Sequence, residues 1–220
     1  WFYLTDGGGE YGVSVLENCK FGSDKPADNT VRLTLLYTPK SQGRYLDQET
    51  QDWGRHDMVY AVYGHKGDWV DARSQWQASR LNQPLMAFQS PSHRGKLGKG
   101  FSMLSVSTPQ VGVHAVKKAE KGDYTIIRLQ ELFGKDVKDV IVSFAGDVKD
   151  AWEVDGQERK IGSANVQRGD LIIDMSKYSP RSFAVKLEKS AASLSKPVCK
   201  PLNLDCTTDV ISSNGKTDGS

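Results

Sequence analysis

The sequence predicts an all-β fold: an antiparallel β-sandwich of the large supersandwich type, with one short helix. Three observations carry that prediction. Short alternating or β-rich stretches recur along the first 188 of the 220 residues, clusters of turn formers separate them, and a single segment carries helical spacing. Many short strands with frequent turns are the pattern of a sandwich rather than of a parallel sheet with crossover helices.

Taken in order, strands are expected at 12–16, 31–37, 58–63, 111–116, 124–129, 137–144, 171–173 and 183–187. The runs Asp6-Gly7-Gly8-Gly9, Gly22-Ser23-Asp24-Lys25-Pro26, Lys121-Gly122-Asp123, Asp155-Gly156 and Arg168-Gly169-Asp170 supply turns, because they fix φ, tolerate positive φ or bond their own backbone. A hairpin at Gly169 is the most clearly signalled. Between 69 and 81, Trp69, Val70, Ala72, Trp76, Ala78 and Leu81 suit one face of a short amphipathic helix ahead of Pro84. From Ser190 onward Ser, Lys, Pro, Asn, Asp and Gly dominate, which is linker composition. Residues 1–188 are therefore read as the sandwich and 189–220 as a tail leading to a further module.

Composition narrows the function classes. The 29 basic and 27 acidic side chains leave a net charge of +2 without long runs of one sign, so neither nucleic acid nor a membrane surface is an expected partner. No apolar run approaches the roughly 18 residues that a spanning helix needs. Cys19, Cys199 and Cys206 are too few and too irregular for a disulfide framework or a zinc site. They read as buried or free thiols, and the spacing of Cys199 and Cys206 around Pro201 is also compatible with a local disulfide in an oxidising compartment.

The nearest approach to a reactive cluster is the polar stretch holding Asp52, Trp53, Arg55, His56 and Asp57, where a loop runs into a strand. Two aspartates flank a guanidinium and an imidazole there, and an indole offers a face on which a sugar ring could stack. A loop at the mouth of a substrate site or against a neighbouring domain has this composition, and so does a strand start with aspartate-capped turns. A retaining glycosidase needs two carboxyl groups roughly 5.5 Å apart, and nothing in the spacing assigns such a pair. His56, His65, His93 and His114 show no HxxxH or HxD arrangement, so no metal ligand set is assigned. Lys96-Leu97-Gly98-Lys99-Gly100 lacks the lysine-hydroxyl ending of a phosphate loop, and no GxSxG frames a serine nucleophile, which leaves Ser14 and Ser102 without a located base. The aromatics Tyr45, Trp53, Tyr63, Trp69 and Trp76 concentrate in one stretch, with most expected in packing and Trp53 the exception.

Several of these segments, in this order, carry a resemblance. Trp1-Phe2-Tyr3-Leu4, Tyr11-Gly12-Val13-Ser14-Val15-Leu16, Cys19-Lys20-Phe21-Gly22 and Val31-Arg32-Leu33-Thr34-Leu35-Leu36 open it. Trp53-Gly54-Arg55-His56-Asp57 and Tyr60-Ala61-Val62-Tyr63-Gly64-His65 follow, then Trp76 to Leu85, Phe101 to Val106, Val113 to Glu120 and Tyr178 to Leu187. Together they resemble the C-terminal β-sandwich region of glycoside hydrolase family 38 α-mannosidases of bacterial type, over most of residues 1–188. The resemblance implies a parent enzyme that hydrolyses α-mannosides with retention. Its aspartate nucleophile and zinc would sit on an earlier catalytic domain, so no catalytic residue and no cofactor map onto this chain.

The expected role is thus a non-catalytic sandwich that packs on that catalytic domain and shapes its active site, with the catalytic domain and α-mannosides or other carbohydrate as partners. The chain alone is expected to be inactive. Two rivals stand beside it: a free-standing carbohydrate-binding sandwich using Trp53, and a mutarotase-like or lyase-like sugar enzyme. The resemblance begins part-way through the family's sandwich region, which implies an unpaired edge or uncovered apolar face near 13–16 or 33–36.

Overall fold

The computed structural model describes residues 1–20, 22–37, 54–91 and 101–188. The expectations placed on Asp52, Trp53, Tyr45, His93, Lys96 to Gly100, Cys199, Cys206 and the 189–220 tail lie outside the described residues.

The architecture is antiparallel β throughout with one short helix, as the alternation predicts. In the second half of the chain, strands β6 (Leu104–Val106), β7 (Val111–Lys118), β8 (Thr125–Glu131), β9 (Val137–Phe144), β10 (Val148–Val154), β11 (Lys160–Ser163), β12 (Asn165–Gln167), β13 (Asp170–Met175) and β14 (Pro180–Leu187) build a sandwich. A five-stranded sheet runs in the order β11-β10-β14-β8-β7 and a four-stranded sheet in the order β12-β13-β9-β6. Alternation places Ile127, Leu129, Phe183 and Val185 on the inner face of the first sheet, and Val142 and Leu171 face them from the second, all at 1% exposure or less. The β12–β13 turn is the hairpin signalled by sequence. Gln167 pairs with Asp170, and Arg168 and Gly169 both have positive φ (53° and 85°), as a two-residue primed turn demands.

The outer face of the five-stranded sheet is covered more thinly. Tyr124 meets Trp152 edge to face at 4.3 Å above Ile126, Val154 and Ala184, and the ammonium of Lys160 lies 5.1 Å from the Trp152 ring.

The first half is smaller. β1 (Phe2–Thr5), β2 (Tyr11–Glu17) and β5 (Tyr60–Lys66) form a three-stranded sheet in the order β1-β2-β5, and β3 (Ser23–Ala27) pairs with β4 (Thr30–Leu33) as an exposed hairpin. Helix α1 (Ser74–Asn82) lies on one face of the three-stranded sheet, burying Ser74 and Ala78.

Three expectations are corrected here. The helix starts at Ser74 rather than Trp69. Asp68 accepts the Val70 and Asp71 amides at 2.7 and 2.9 Å, and Arg73 takes φ 53°, so residues 68–73 turn before the helix begins. Ser23 to Pro26 form a strand rather than a turn: Asp24 and Arg32 are paired across the hairpin, and Pro26 falls where the register shifts. The strand expected over 31–37 stops at Leu33. Strand β10 carries a register shift between Val148 and Asp150, which interrupts the alternation that would have revealed it.

Candidate functional site

The described part of the polar loop enters β5 at the edge of the three-stranded sheet. Its end is clamped to the end of β2 by a reciprocal pair: the Val59 amide donates to the Asn18 side-chain oxygen at 3.1 Å, and the Asn18 amide donates to the Val59 carbonyl at 3.2 Å. Arg55 donates to one carboxylate oxygen of Asp57 through Nη2 at 3.0 Å and Nε at 3.3 Å. Both side chains are largely in solvent, 87% and 78% exposed, so the pair contributes little to stability. His56 is half-buried beside them. The loop thus presents a fixed end with an outward-facing guanidinium and carboxylate.

The base that sequence could not locate for Ser14 is His65. Antiparallel pairing of β2 with β5 brings Ser14 Oγ to 3.0 Å from His65 Nε2, and Ser74 Oγ of α1 lies 2.6 Å from the same hydroxyl. His65 Nδ1 lies 3.2 Å from the Gly67 carbonyl, an acceptor only, so Nδ1 carries the proton and Nε2 accepts from Ser14. Among the described residues the imidazole bonds Ser14 and the Gly67 carbonyl and no carboxylate, and both serines are fully buried. The network ties helix to sheet and presents no nucleophile to a substrate. Gly12 makes room for it, since a Cβ there would come within 2.3 Å of the His65 ring.

A second buried polar centre had no sequence signal. Glu131, at the end of β8, is fully buried and accepts backbone amides from Tyr178 at 2.7 Å, Phe133 at 2.7 Å and Gly134 at 2.8 Å, with the Gln110 side-chain amide at 3.0 Å. Burial pushes its carboxyl pKa up, but these four donors outweigh burial and hold it below the ordinary value of 4.5. With both oxygens occupied, Glu131 locks three chain segments together. Only the following Leu132-Phe133-Gly134 turn hints at it, and that run is equally ordinary for a surface glutamate.

Beside Glu131, a cleft of about 380 Å³ separates the three-stranded sheet from the sandwich. Trp1, Tyr3 and Trp69 line one side, with ring centroids 5.5 to 6.2 Å apart, and Gln130 and Tyr178 line the other. Trp1 Nε1 donates to Gln75 at 2.5 Å, and Trp76 Nε1 donates to the Pro109 carbonyl at 2.8 Å. Among the aromatics grouped by sequence, Trp69 and Trp76 therefore serve the junction between the two halves, and the Tyr63 hydroxyl reaches the Ala72 carbonyl at 3.3 Å.

No three His, Cys, Asp or Glu side chains converge as a metal site among the described residues. His65 is committed to Ser14 and Gly67, and His114 is exposed on β7 where the register shifts. These residues do not fit a zinc ion.

Residues 110–189 match the family described as the glycosyl hydrolases family 38 C-terminal beta sandwich domain, which coincides with β7 to β14. Mouse alpha-mannosidase 2C1 is 30% identical over 184 residues, covering 81% of this chain and 17% of the relative. Human alpha-mannosidase 2C1 is 34% identical over 140 residues, covering 62% and 12%. The chain therefore spans about a sixth or less of these relatives' length. A crystal structure of a glycosyl hydrolase family 38 protein from Enterococcus faecalis superposes with a TM-score of 0.66 at 17% identity, over 84% of this chain and 22% of that one, a likeness of fold.

Proposed function

We propose that this chain, which resembles the C-terminal β-sandwich region of family 38 α-mannosidases, is the non-catalytic sandwich of a larger retaining α-mannosidase. It packs on the catalytic domain of the same polypeptide and shapes the mouth of its active site. The observation that carries this reading is the 110–189 match together with relatives several times longer than the chain. In the parent, an aspartate nucleophile and a zinc ion on the catalytic domain supply the chemistry, and the sandwich supplies packing and the Arg55-His56-Asp57 loop, with Asp52 and Trp53 before it.

A second reading has its own observation. The Trp1, Tyr3 and Trp69 rings, facing Gln130 and Tyr178 across an open cleft, combine apolar faces with neutral hydrogen-bonding groups, the pairing on which carbohydrate modules rely. Direct binding of methyl α-mannoside by the 220-residue chain, lost in Trp69→Ala, would favour it.

The experiment for the first reading is expression of the whole reading frame that contains this chain. Hydrolysis of an aryl α-mannoside, lost on chelation and restored by zinc, is expected. A full-length product with no such activity and no bound zinc would refute the assignment.

A further inference from the structure

Among the described residues, β6 is the last strand of the four-stranded sheet and β7 the last of the five-stranded sheet. The edge of β7 is blunted by the register shift between Val113 and Ala115, a bulge that turns a strand away from further pairing. The edge of β6 is regular. The Ser107 amide donates to the Ile141 carbonyl and the Ala145 amide to the Met103 carbonyl, each at 3.0 Å, on either side of the Ser105–Ser143 pair. Met103, Ser105 and Ser107 therefore bond β9, and the backbone groups of Leu104 and Val106 point the other way. The Ser102 hydroxyl occupies the Leu104 carbonyl at 2.7 Å, which leaves the Val106 amide and carbonyl as a free donor and acceptor pair on the edge.

An open cleft of about 400 Å³ lies along this edge, with β6 and Val113 on one side and Arg73, Trp76 and Arg80 of α1 on the other. The three α1 residues share one helical face, and Arg73 and Arg80 stand about 10 Å apart along the axis, the length of a three-residue strand such as β6. No acidic side chain lines the cleft. Between Asp71 and Glu120 the sequence has no acidic residue and seven basic ones. Lys117 at the far end of β7 is paired with Glu158, whereas Arg80 bonds only the neutral Gln77 side chain and the Arg73 side chain meets no carboxylate among the described residues. Arg73 is also held in a left-handed conformation (φ 53°) that residues other than glycine seldom adopt.

We propose that this cleft binds an extended acidic segment of another polypeptide, added as a strand along β6, with carboxylates of its alternate residues on Arg73 and Arg80. Two independent features choose that occupant. The free amide and carbonyl of Val106 call for an extended backbone, the mode in which an edge strand recruits a peptide. Two guanidiniums without acidic neighbours call for carboxylates, which they hold by charge-assisted hydrogen bonds. Trp76, fixed by its bond to the Pro109 carbonyl, and Val113 offer apolar contact to the side chains between the acids.

The test is fluorescence anisotropy of a labelled, end-blocked eight-residue peptide of alternating glutamate and valine, titrated with the 220-residue chain. Saturable binding with a Kd below about 1 mM is expected, weakening as salt rises from about 0.05 to about 0.3 M, and a lysine–valine peptide should not bind. Arg73→Gln combined with Arg80→Gln, both on exposed side chains, should weaken binding at least about tenfold without unfolding the chain. Val106→Pro removes the outward amide at an edge position that tolerates proline, and should abolish binding while both guanidiniums remain. Absence of saturable binding, equal binding of the lysine peptide, or unchanged affinity in the arginine double variant overturns the proposal. Binding that survives Val106→Pro also overturns it, and displacement by inorganic phosphate would then identify an oxyanion pocket in place of the strand site. Self-association by light scattering that is lost in the same arginine variant names a second copy as the occupant and overturns it too. None of these readouts involves mannoside hydrolysis, so the proposal and the parent assignment fail separately.

Discussion

The backbone amide of Tyr178 donates to the Glu131 carboxylate at 2.7 Å across 47 residues of sequence, fastening the approach to β14 onto the end of β8. Tyr178 takes φ 55° to present that amide, and the turn at Phe133 and Gly134 presents two more. The carboxylate is the common acceptor for backbone amides of two segments, at 133–134 and at 178, and for the Gln110 side chain from a third.

Glu131 should therefore govern acid stability. Its folded pKa is lowered below 4.5, so the folded state takes up the proton less readily than the unfolded chain. The stabilisation is fully present above the ordinary carboxylate pKa and is lost as pH falls through the lowered folded value. Glu131→Gln should cost about 3 kcal/mol at neutral pH, since an amide leaves at least one buried donor unpaired, and should flatten the acid limb of stability against pH. Urea unfolding at several pH values measures both, and an unchanged acid limb would sink the assignment.

Ser14→Ala should cost about 1–3 kcal/mol, because it strips the acceptor from Ser74 and the donor from His65 inside a sealed contact. The same substitution should leave the kcat of the full-length enzyme unchanged once the protein is folded. A loss of kcat without a loss of thermal stability would instead give Ser14 a chemical role.

Much of the sandwich was legible in its residues. Val137 to Phe144 and Phe183 to Leu187 are apolar and β-rich, and the structure has strands there, with Val140, Val142, Phe183 and Val185 buried in the core between the two sheets. Strands β10 and β3 were not legible, since a register shift breaks the alternation of the first and Asp, Lys and Pro mask the second. In the stretch 13–16 Val13 is 38% exposed while Ser14 and Leu16 are buried, and the strand expected over 31–37 ends at Leu33. Glu131 and the Ser14–His65 contact could not be read at all, because each depends on partners brought together by strand pairing.

Phe183 sits at 1% exposure in the centre of the inter-sheet core, opposite residues of both β9 and β13. Phe183→Ala should destabilise by about 3–5 kcal/mol through lost burial and the cavity left behind. Denaturant unfolding checks this, and a cost below about 1 kcal/mol would mean that the core refills around the site.

Arg55→Ala should lower the activity of the full-length enzyme more than its melting temperature. The side chain is 87% exposed and its exposed pair with Asp57 contributes about 1 kcal/mol or less. Equal activity in the variant would remove Arg55, and with it the loop, from the substrate mouth.

The central claim, that this chain supplies packing and no chemistry, is tested most directly by assaying the purified 220-residue chain for aryl α-mannoside hydrolysis and for bound zinc after a second purification. Neither turnover nor stoichiometric zinc is expected, because the buried carboxylate Glu131 is closed by its donors and Asp57 faces solvent beside Arg55. Turnover that persists through repurification and disappears in Asp52→Asn or Asp57→Asn would contradict the account.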